Sequence, residues 1–576
     1  MAETITTTSN ILKNPDFDYS WYSPETGIYS SKHPKIHLPE NPFLDVVTHI
    51  FSLLNNNGGG NSVLVDSSSG YSIPYSELFP LVKSMACGLH QMGISKGDVV
   101  LILLPNSVYL PIIILGVVYL GAIVTPMNPL SSFSEAKQQT LCCHAKLAFT
   151  LAENTRKLSS LGLKIIQVPE NVIIGEQTQK TQEFPEFFHL VSGNINNGGN
   201  FTFPRAKINQ DDTAAIMYSS GTSGASKGVV LTHRNLISMV ELFVRFEASQ
   251  YKEMMKNEES VYLGVLPMFH IYGLALFGFG LISLGTSVVV MRKFDINEVV
   301  KVIDKFKVTH FPVVPPILAA LTTKAKSLIG GFSVSGLGSL KQVSCGAAPL
   351  TTQLIVDFLH TFPGVDFIQG YGMTESTAVG TRGFNVAGKT YKYTSVGLLA
   401  PNMEAKVVNC STGSCMKPGK AGELLLRGPG VMKGYLNNRI ATELTIEEDG
   451  WLHTGDIVYF DYDGYLYIID RLKDIIKYKG FQIAPADLEV ILMSHPEILD
   501  VAVTGAADEE AGEIPVAFVI KKTGSLLSRN EVCTYVANAV APHKKVRKVV
   551  FVTSIPKSVA GKVLRRQLRN LLPSKL

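Results

Sequence analysis

The chain has little net charge for its length. Its 576 residues carry 52 Lys and Arg against 48 Asp and Glu, a formal net charge of +4. So small an excess provides no basic surface for nucleic acid or for an anionic membrane, and we expect neither partner. Charged residues make up 17% of the chain and hydrophobic residues 46%, which excludes a disordered protein. The length predicts several domains.

The cysteine pattern and the amino terminus both lack the signs of a secreted protein. The seven cysteines are odd in number and include no Cys-x-x-Cys pair, so we expect reduced thiols in an intracellular compartment. Residues 1–10 contain no apolar signal segment, which argues against secretion. The last three residues, Ser574, Lys575 and Leu576, match the tripeptide that a peroxisomal import receptor reads. We therefore predict a peroxisomal location, with a cytoplasmic one as the alternative.

Two long runs without charged side chains, residues 99–127 and 262–291, raise the question of a membrane span. Hydropathy alone would mark both as candidates. The first run is interrupted by Pro105 and Gly121, and the second by Pro267. Buried strands and helices of α/β proteins are also nearly continuous in apolar residues. We therefore predict soluble core and no membrane span.

Helices, glycine stops and strands alternate through residues 70–150 and again through 210–375. This alternation predicts parallel sheets covered by helices, with the Asn/Gly stretch 194–200 as the linker between two halves. Short alternating runs over about 395–470 predict a small β-barrel or a distorted sheet. The following hundred or so residues have the α+β order of a small second domain. The predicted organisation is an extended segment over 1–40, a large domain over 41–472 and a small domain over 473–576.

A loop at residues 218–228 reads Tyr-Ser-Ser-Gly-Thr-Ser-Gly-Ala-Ser-Lys-Gly and lies between two predicted strands. Glycines let successive N–H groups point into one concavity, hydroxyls add donors, and Lys227 adds a positive charge. Such a loop suits a polyphosphate. It differs from a Walker A loop because Lys227 is followed by Gly228 and then by a strand. A flexible surface hairpin is the alternative.

A second segment, residues 369–375, follows a predicted strand. Open α/β sheets bind ligands at the carboxyl ends of their strands. Tyr371 offers a flat face for a purine, Thr374 a hydroxyl, and Glu375 a hard oxygen for Mg²⁺. An ordinary turn is the alternative. Further along, Asp456 follows a turn, and its carboxylate is able to accept both hydroxyls of a ribose, or simply to cap the turn.

These segments resemble the signatures of the adenylate-forming (AMP-binding) enzymes. Residues 470–482 resemble the family's hinge and the run that faces coenzyme A, and residues 556–563 resemble the loop of its catalytic lysine. The resemblance covers about residues 40–576 and is strongest to the 4-coumarate:CoA ligase-like branch and its plant peroxisomal members. The chain departs from the family at Ser226, where Pro is usual, and at Cys345, where Ser is common.

The resemblance implies two helix-covered, mostly parallel sheets plus a small β-barrel, followed by a small mobile α+β domain. It implies an acid–thiol ligase that uses ATP, CoA and Mg²⁺ to make an acyl-AMP and then an acyl-CoA. The implied catalytic residues are Lys562, His270 and Thr374. The implied ATP and AMP contacts are Ser219, Ser220, Gly221, Thr222, Ser223, Lys227, Gln369, Gly370, Tyr371, Thr374, Asp456, Arg471, Gln482 and Lys562. The implied acyl contacts are Tyr272, Leu276, Ala347, Gly372, Ala378, Val379, Lys473 and Lys477. The implied CoA contacts are Lys293, Lys479 and Gly480, and the implied metal ligand is Glu375.

The predicted acid pocket departs from that of true hydroxycinnamate ligases. Those enzymes carry a small polar residue where Leu276 stands and Pro where Ala378 stands. Both differences make the pocket more apolar, so we expect an apolar aromatic (cinnamate-type) acid or a fatty or branched aliphatic acid. The alternatives are a true 4-coumarate:CoA ligase, a luciferase-like or carrier-loading adenylating enzyme, a non-catalytic nucleotide-binding protein, and a membrane transporter.

Overall fold

The computed structural model describes most of the chain. The described residues are 20–55, 64–172, 183–193, 203–219, 227–251, 259–329, 335–385, 391–478, 481–508, 511–540, 542–558 and 561–572. The predicted linker at 194–200 lies outside them. None of the seven cysteines, all of which lie among the described residues, forms a disulfide.

The first sheet is built from apolar runs whose residues are buried on both faces. Val99–Leu103, for example, is buried at every position, as expected for a strand covered by helices on both sides. It pairs parallel with both of its neighbours, Ile123–Pro126 and Ala145–Thr150. In spatial order the seven described strands are Gly434–Tyr435, Lys227–Thr232, Thr213–Ser219, Ile123–Pro126, Val99–Leu103, Ala145–Thr150 and Lys164–Gln167.

The second sheet is also mostly parallel and lies at the centre of the large domain. In spatial order its nine described strands are Leu398–Leu399, Thr381–Arg382, Asp366–Tyr371, Gln342–Cys345, His310–Val313, Val261–Gly264, Ser287–Val290, Leu64–Asp66 and Ser72–Ile73. The two sheets confirm the prediction of helix-covered parallel sheets.

Neither sheet is built from one continuous part of the chain. Leu64–Asp66 pairs with Val288–Val290 in the second sheet, although it precedes every described strand of the first. Thr213–Ser219 lies beyond the predicted linker but belongs to the first sheet. The prediction that residues 194–200 divide the two halves is therefore wrong, because strand pairing joins segments that are distant in sequence.

The described helices lie between these strands. The α-helices are Val46–Asn55, Tyr75–Gln91, Tyr109–Leu120, Phe133–Cys143, Ala152–Ser159, Pro185–Phe188, His233–Met239, Phe246–Tyr251, Ile271–Gly273, Ile296–Phe306, Pro315–Ile329, Thr352–Thr361, Arg439–Glu443, Pro485–Met493, Arg529–Ala539 and Arg565–Arg569. The π-helices are His189–Gly193, Val240–Arg245 and Leu274–Gly280, and the 3₁₀ turns are Leu281–Leu284, Ser335–Leu337, Thr374–Ser376 and Pro542–Lys544. Among the described residues, none of these helices has the length and hydrophobicity that a bilayer crossing requires.

The third sheet is antiparallel and includes part of the predicted amino-terminal extension. Its described strands, in spatial order, are Ile28–Ser30, Glu404–Val408, Gly422–Arg427, Leu452–Phe460 and Leu466–Arg471. Tyr29 is fully buried and stacks on Phe460 with ring centroids 4.4 Å apart. Within the described residues the strand pairing follows an open path, so of our two predictions the distorted sheet fits better than the barrel.

The small domain has its own sheet and its own apolar core. Its described strands are Ile476–Tyr478, Phe481–Ile483, Ile498–Asp508, Gly512–Lys521 and Lys548–Phe551. The longest pair, Ile498–Asp508 and Gly512–Lys521, is antiparallel. Gly561 brings this domain against the large one, because a Cβ added there would lie 2.5 Å from Cγ of Pro316. The loop that carries Lys562 therefore packs on the large domain.

Candidate active site

The segment 369–375 begins on a strand and ends in a tight turn. It pairs antiparallel with Thr381–Arg382, and Thr374–Ser376 forms a 3₁₀ turn. A Cβ on Gly372 would lie 2.4 Å from the carbonyl oxygen of Ala378, so only glycine fits at this point of the turn. The turn places Thr374 and Glu375 at the end of the central sheet, where we predicted a ligand.

Ala378 has a backbone conformation that proline cannot adopt. Its φ is 62°, in the left-handed region, whereas the ring of proline fixes φ near about −65°. The proline that hydroxycinnamate ligases carry here would require a different turn. The departure at Ala378 therefore alters the backbone of the predicted acid pocket as well as its side chains.

Tyr371 and Arg471 both contact the buried carboxylate of Asp456, one by a hydrogen bond and the other by an ion pair. The Tyr371 hydroxyl donates to Oδ2 of Asp456 over 2.6 Å, and Nε of Arg471 lies 3.3 Å from Oδ1 of the same carboxylate. Burial and the neighbouring Asp456 charge raise the pKa of Tyr371 well above its usual range, which keeps it a neutral donor. Each carboxylate oxygen of Asp456 still has a lone pair free for a further donor.

Lys562 joins this group from the small domain. Its pKa falls to about 7, first because burial disfavours the charged ammonium and then because the Arg471 guanidinium repels it, while Asp456 opposes the shift. An added polyanion would favour the charged form. We call Tyr371, Asp456, Arg471 and Lys562 the nucleotide corner.

A second polar group forms where the 218–228 loop leaves the first sheet. Lys227 begins the strand Lys227–Thr232, whose neighbour is Gly434–Tyr435. Nζ of Lys227 lies 4.8 Å from the centroid of the Tyr435 ring, and the Tyr435 hydroxyl donates to Oε1 of Glu375 over 3.1 Å. The predicted phosphate-binding lysine and the predicted metal ligand are therefore joined through Tyr435.

Glu375 suits a magnesium ion held largely by a nucleotide. It is 6% exposed, and Mg²⁺ is usually bound by one or two carboxylates together with substrate phosphates and water. Elsewhere in the described chain, no group of three or more His, Cys, Asp or Glu side chains is arranged to hold a metal ion. The residues present thus fit a nucleotide-bound Mg²⁺ rather than an all-protein metal site.

Several of the predicted acyl residues lie at or beside the same turn. Part of the His270 side chain is exposed, yet burial of its imidazole among neighbouring atoms disfavours the charged form and lowers its pKa. Tyr272 lies over Gly346, whose added Cβ would be 3.6 Å from Cε1 of the ring. Ala347 is exposed and has φ 71°. Val379 is fully buried.

Leu276 lies in the π-helix Leu274–Gly280 and is 4% exposed. Its side chain is therefore part of the apolar core. We call Tyr272, Leu276, Ala347, Gly372, Ala378 and Val379 the acyl pocket.

Several predicted residues are not brought into these groups. Gln369 donates instead to the carbonyl of Tyr393 over 2.6 Å. Lys293 and Lys477 are exposed. Lys473 is exposed as well, but it lies within charge range of Asp456 and Arg471 at the edge of the nucleotide corner, and burial lowers its pKa. Ser220, Gly221, Thr222, Ser223, Lys479, Gly480 and the terminal tripeptide Ser574, Lys575 and Leu576 lie outside the described residues, as do the side chains of Ser219 and Gln482.

Sequence reasoning missed three polar residues of the site. Tyr435 links Lys227 to Glu375, and a buried ion pair between Arg382 and Glu247 lies against the acyl pocket. Arg382 follows the 369–375 signature by only seven residues, and this closeness in sequence was the one signal that could have placed it near the site. Nothing in the sequence pairs it with Glu247, which lies 135 positions upstream on the helix Phe246–Tyr251.

Comparison with known proteins identifies the family. The AMP-binding enzyme model matches residues 55–436, and the model of the AMP-binding enzyme C-terminal domain matches residues 487–562. The chain belongs to the AMP-binding enzyme family, and it is an enzyme of the ligase class.

Within the family, the chain is similar to plant proteins named as CoA ligases. It is 57% identical to 4-coumarate--CoA ligase-like 6 of Arabidopsis thaliana, over 97% of this chain and 95% of that protein. It is 55% identical to 4-coumarate--CoA ligase-like 3 of Oryza sativa subsp. japonica, over 96% and 93%. It is 40% identical to Peroxisomal OPC-8:0-CoA ligase 1 of Arabidopsis thaliana, over 95% and 96%. These proteins confirm the predicted branch of the family.

Solved structures confirm the fold. ATP-bound MatB from Rhodopseudomonas palustris has a TM-score of 0.77 at 23% identity and covers 92% of this chain and 98% of its own. The o-succinylbenzoate CoA synthetase of Bacillus subtilis, in complex with its acyl-adenylate intermediate, has a TM-score of 0.73 at 25% identity, with 92% and 99% covered. A complex of that synthetase with ATP and magnesium ion has a TM-score of 0.72 at 25% identity and covers 91% and 99%.

Proposed function

We propose that the protein is an ATP-dependent carboxylic acid:CoA ligase that makes an acyl-AMP and then an acyl-CoA. One observation carries the proposal: the Lys562 ammonium of the small domain lies within charge reach of Asp456 and Arg471 of the large one. A cation delivered by one domain to the ribose-binding carboxylate of the other suits a reaction at the α-phosphate of ATP. The names of the similar plant proteins support CoA as the acceptor.

In the first step the acid's carboxylate attacks the α-phosphorus and pyrophosphate leaves. Negative charge then grows on the phosphate oxygens, and the proposed role of Lys562 is to stabilise it. Preorganised charges of this kind usually supply the largest single catalytic contribution. Asp456 would accept the ribose hydroxyls, and Tyr371, held by Asp456, would present its ring to the adenine. The Thr374 hydroxyl would donate a hydrogen bond to the α-phosphate.

Other described residues would hold the remaining parts of the substrates. Lys227 would contact the phosphates, and Glu375 would hold Mg²⁺, which when bound neutralises phosphate charge. His270 would border the carboxylate as it approaches the α-phosphorus. In the second step the small domain would turn about Lys473 and withdraw Lys562, and the proposed CoA contacts Lys293, Lys479 and Gly480 would receive the thiol substrate. The CoA thiolate would then displace AMP from the acyl-AMP.

The proposed substrate is an apolar aromatic acid of the cinnamate type, or a fatty or branched aliphatic acid. Leu276 and Val379 are buried and apolar, and the turn at Ala378 excludes proline. These differences favour such acids over 4-coumarate. One similar plant protein is named for OPC-8:0 and for the peroxisome, so we propose a peroxisomal location too, which microscopy of the fluorescently tagged protein would test.

A product assay tests this function. The purified protein would be incubated with ATP, Mg²⁺, CoA and one acid at a time from a panel of cinnamates, benzoates and fatty acids. We expect AMP and acyl-CoA to form in equal amounts with at least one apolar acid. AMP formation with light emission or with acylation of a carrier protein, and without acyl-CoA, would support the other adenylating enzymes. Absence of AMP with every acid would support the non-catalytic alternative.

A further inference from the structure

Asp470 of the large domain caps a helix of the small domain. Its Oδ2 atom accepts a hydrogen bond from the backbone N–H of Ala486 over 2.9 Å, and Ala486 lies in the first turn of the helix Pro485–Met493. Ala484, the residue at the N-cap position, makes no side-chain bond to this helix. A carboxylate at a helix N-terminus satisfies an N–H group that has no partner within the helix, and the helix dipole favours its charge. The helix therefore depends on the other domain for its cap.

Arg565 places a positive charge of the small domain near the same carboxylate. It is fixed within its own domain, because Nη2 lies 2.7 Å from Oε1 of Glu489 and Nε donates to the carbonyl of Val503 over 3.0 Å. Burial raises the pKa of the Asp470 carboxyl, and the Arg565 guanidinium is the largest influence that opposes the rise. A guanidinium held in this way faces Asp470 only while the small domain keeps its present orientation.

An apolar cluster surrounds this contact between the domains. Ile457 and Ile469 extend from the third sheet. Ile475 and Ala484, which follow the hinge in sequence, belong to the same cluster and come from the small domain. Asp470 directly follows Ile469 and is 7% exposed. A carboxylate buried among apolar side chains needs partners that satisfy its charge, and two of those that Asp470 has come from the small domain.

The hinge lies between the two sides of this contact. Asp470 precedes Lys473, about which the small domain is proposed to turn. Ala486 and Arg565 both follow Lys473. A turn about the hinge would therefore leave Asp470 in the strand Leu466–Arg471 of the third sheet and carry its two partners away. Asp470 thus stabilises the orientation that brings the catalytic ammonium to the nucleotide corner, and it loses these contacts when the small domain turns.

We propose that Asp470 is a positioning residue that holds the small domain in the orientation for the first half-reaction and sets how readily the domain turns for the second. We call Asp470, Ala486 and Arg565 the interdomain latch. The latch rests on the proposed two-step ligase reaction and adds a residue that controls the balance between its two orientations. Because every turnover needs both orientations, they lie close in free energy, and the loss of one charged contact shifts their ratio. Asp470 takes no part in the chemical step.

Two variants of the full chain test the latch through the two half-reactions. Asp470→Asn keeps one oxygen for the Arg471 N–H, which donates to Oδ1 over 2.7 Å, but loses the charge; Asp470→Ala loses both acceptors. We expect kcat for AMP formation to fall by about tenfold in Asp470→Ala and by less in Asp470→Asn. Acyl-CoA formation from supplied acyl-AMP should stay at the wild-type rate or rise. Equal loss of both half-reactions would overturn the latch, and so would a rise in KM for ATP at unchanged kcat, because that result would assign the effect to Arg471.

The matched control is Ser528→Ala. Ser528 caps the helix Arg529–Ala539 and accepts from the Glu531 N–H over 3.3 Å, so this variant removes a helix cap that lies wholly within the small domain. It should lower the stability of that domain and leave the ratio of the two half-reaction rates unchanged. The same change of ratio in Ser528→Ala as in Asp470→Ala would overturn the latch, because it would show that the loss of any cap in the small domain has this effect.

Hydrogen exchange of the backbone amides, followed by mass spectrometry, tests the latch without turnover. In Asp470→Ala we expect faster exchange in the first turn of the helix Pro485–Met493 and also in the loop of Lys562, which packs on the large domain. The core strand Ile498–Asp508 should exchange as in the wild type, because the small domain stays folded. This result supports the latch even if no acid is activated and the proposed function fails. Unchanged exchange in the loop of Lys562 would overturn the latch even if acids are activated, because Asp470 would then be a local cap only.

Discussion

The nucleotide corner and the acyl pocket differ in the polar contacts that their side chains make. The nucleotide corner contains a tyrosine, an arginine, a lysine and a carboxylate, whereas the acyl pocket is mostly apolar and lies against a buried pair of an arginine and a glutamate. In the nucleotide corner, Tyr371 and Arg471 both contact Asp456, and Lys562 arrives from another domain. Against the acyl pocket, Arg382 pairs with Glu247, and both residues belong to the large domain. Changes in the corner should therefore affect all acids alike, whereas changes in the pocket should reorder them.

Loss of Lys562 should have the largest effect. Lys562→Ala removes the proposed stabilising cation, and losing one such group typically costs about 3 kcal/mol, or roughly a hundredfold in rate. We expect acid-dependent AMP formation to fall by at least about that factor, with every acid equally affected. Thioester formation from supplied acyl-AMP should stay near the wild-type rate, measured by acyl-CoA appearance.

The matched control for this variant is Lys557→Ala. Lys557 lies on the same loop, is exposed, and pairs with Asp500 over 2.6 Å, so its loss should leave both half-reactions intact. Equal loss of both half-reactions in Lys562→Ala would contradict the proposal that Lys562 is needed only for the first step.

Asp456→Ala should have the next largest effect. It removes the proposed ribose acceptor and leaves the Tyr371 hydroxyl and the Arg471 guanidinium without their shared partner. Bonds to a charged group contribute about 1.5–3 kcal/mol, so KM for ATP should rise by roughly 10- to 100-fold. The rise should be the same for all acids. The control is Asp463→Asn, which lies in an exposed turn. A change in KM for ATP that depends on the acid would contradict the prediction that the nucleotide corner affects all acids alike.

The pKa of Lys562 predicts a pH dependence. The pKa of about 7 in the free enzyme means that the ammonium loses its proton as pH rises through neutrality. If ATP capture needs the charged form, kcat/KM for ATP should fall about tenfold per pH unit above that pKa. Lys562→Arg should lack this fall because its guanidinium stays charged. A fall that persists in Lys562→Arg would assign the titration to another group.

Tyr435→Phe should have the smallest effect. It removes the hydroxyl that donates to Glu375 over 3.1 Å but keeps the ring beside Lys227. We expect the Mg²⁺ concentration for half-maximal AMP formation to change by about two- to tenfold, again for every acid alike. Tyr459→Phe on the third sheet is the control. An unchanged Mg²⁺ requirement in Tyr435→Phe would show that the Tyr435 hydroxyl does not contribute to the proposed metal site.

Local signals predicted the elements of the nucleotide corner well. The two strands predicted on either side of the 218–228 loop are present as Thr213–Ser219 and Lys227–Thr232. Such features depend on residues that are neighbours in sequence. The same holds for the segment 369–375, which begins on a strand and ends in a turn as predicted.

Contacts between distant segments were not predictable from the chain alone. The pairing of Arg382 with Glu247 joins residues 135 positions apart, and that of Leu64–Asp66 with Val288–Val290 depends on the topology of the whole sheet. Hydrophobic periodicity carries no information on which buried charge meets which. For that reason the sequence indicated an apolar pocket and missed the buried ion pair that lies against it.

Exchange of labelled pyrophosphate into ATP without CoA tests the central claim most directly, because only reversible acyl-AMP formation produces it. The account predicts that the purified protein incorporates label when a suitable acid is present and does not when the acid is omitted. Incorporation that is independent of acid, or absent with every acid of the panel, would contradict it.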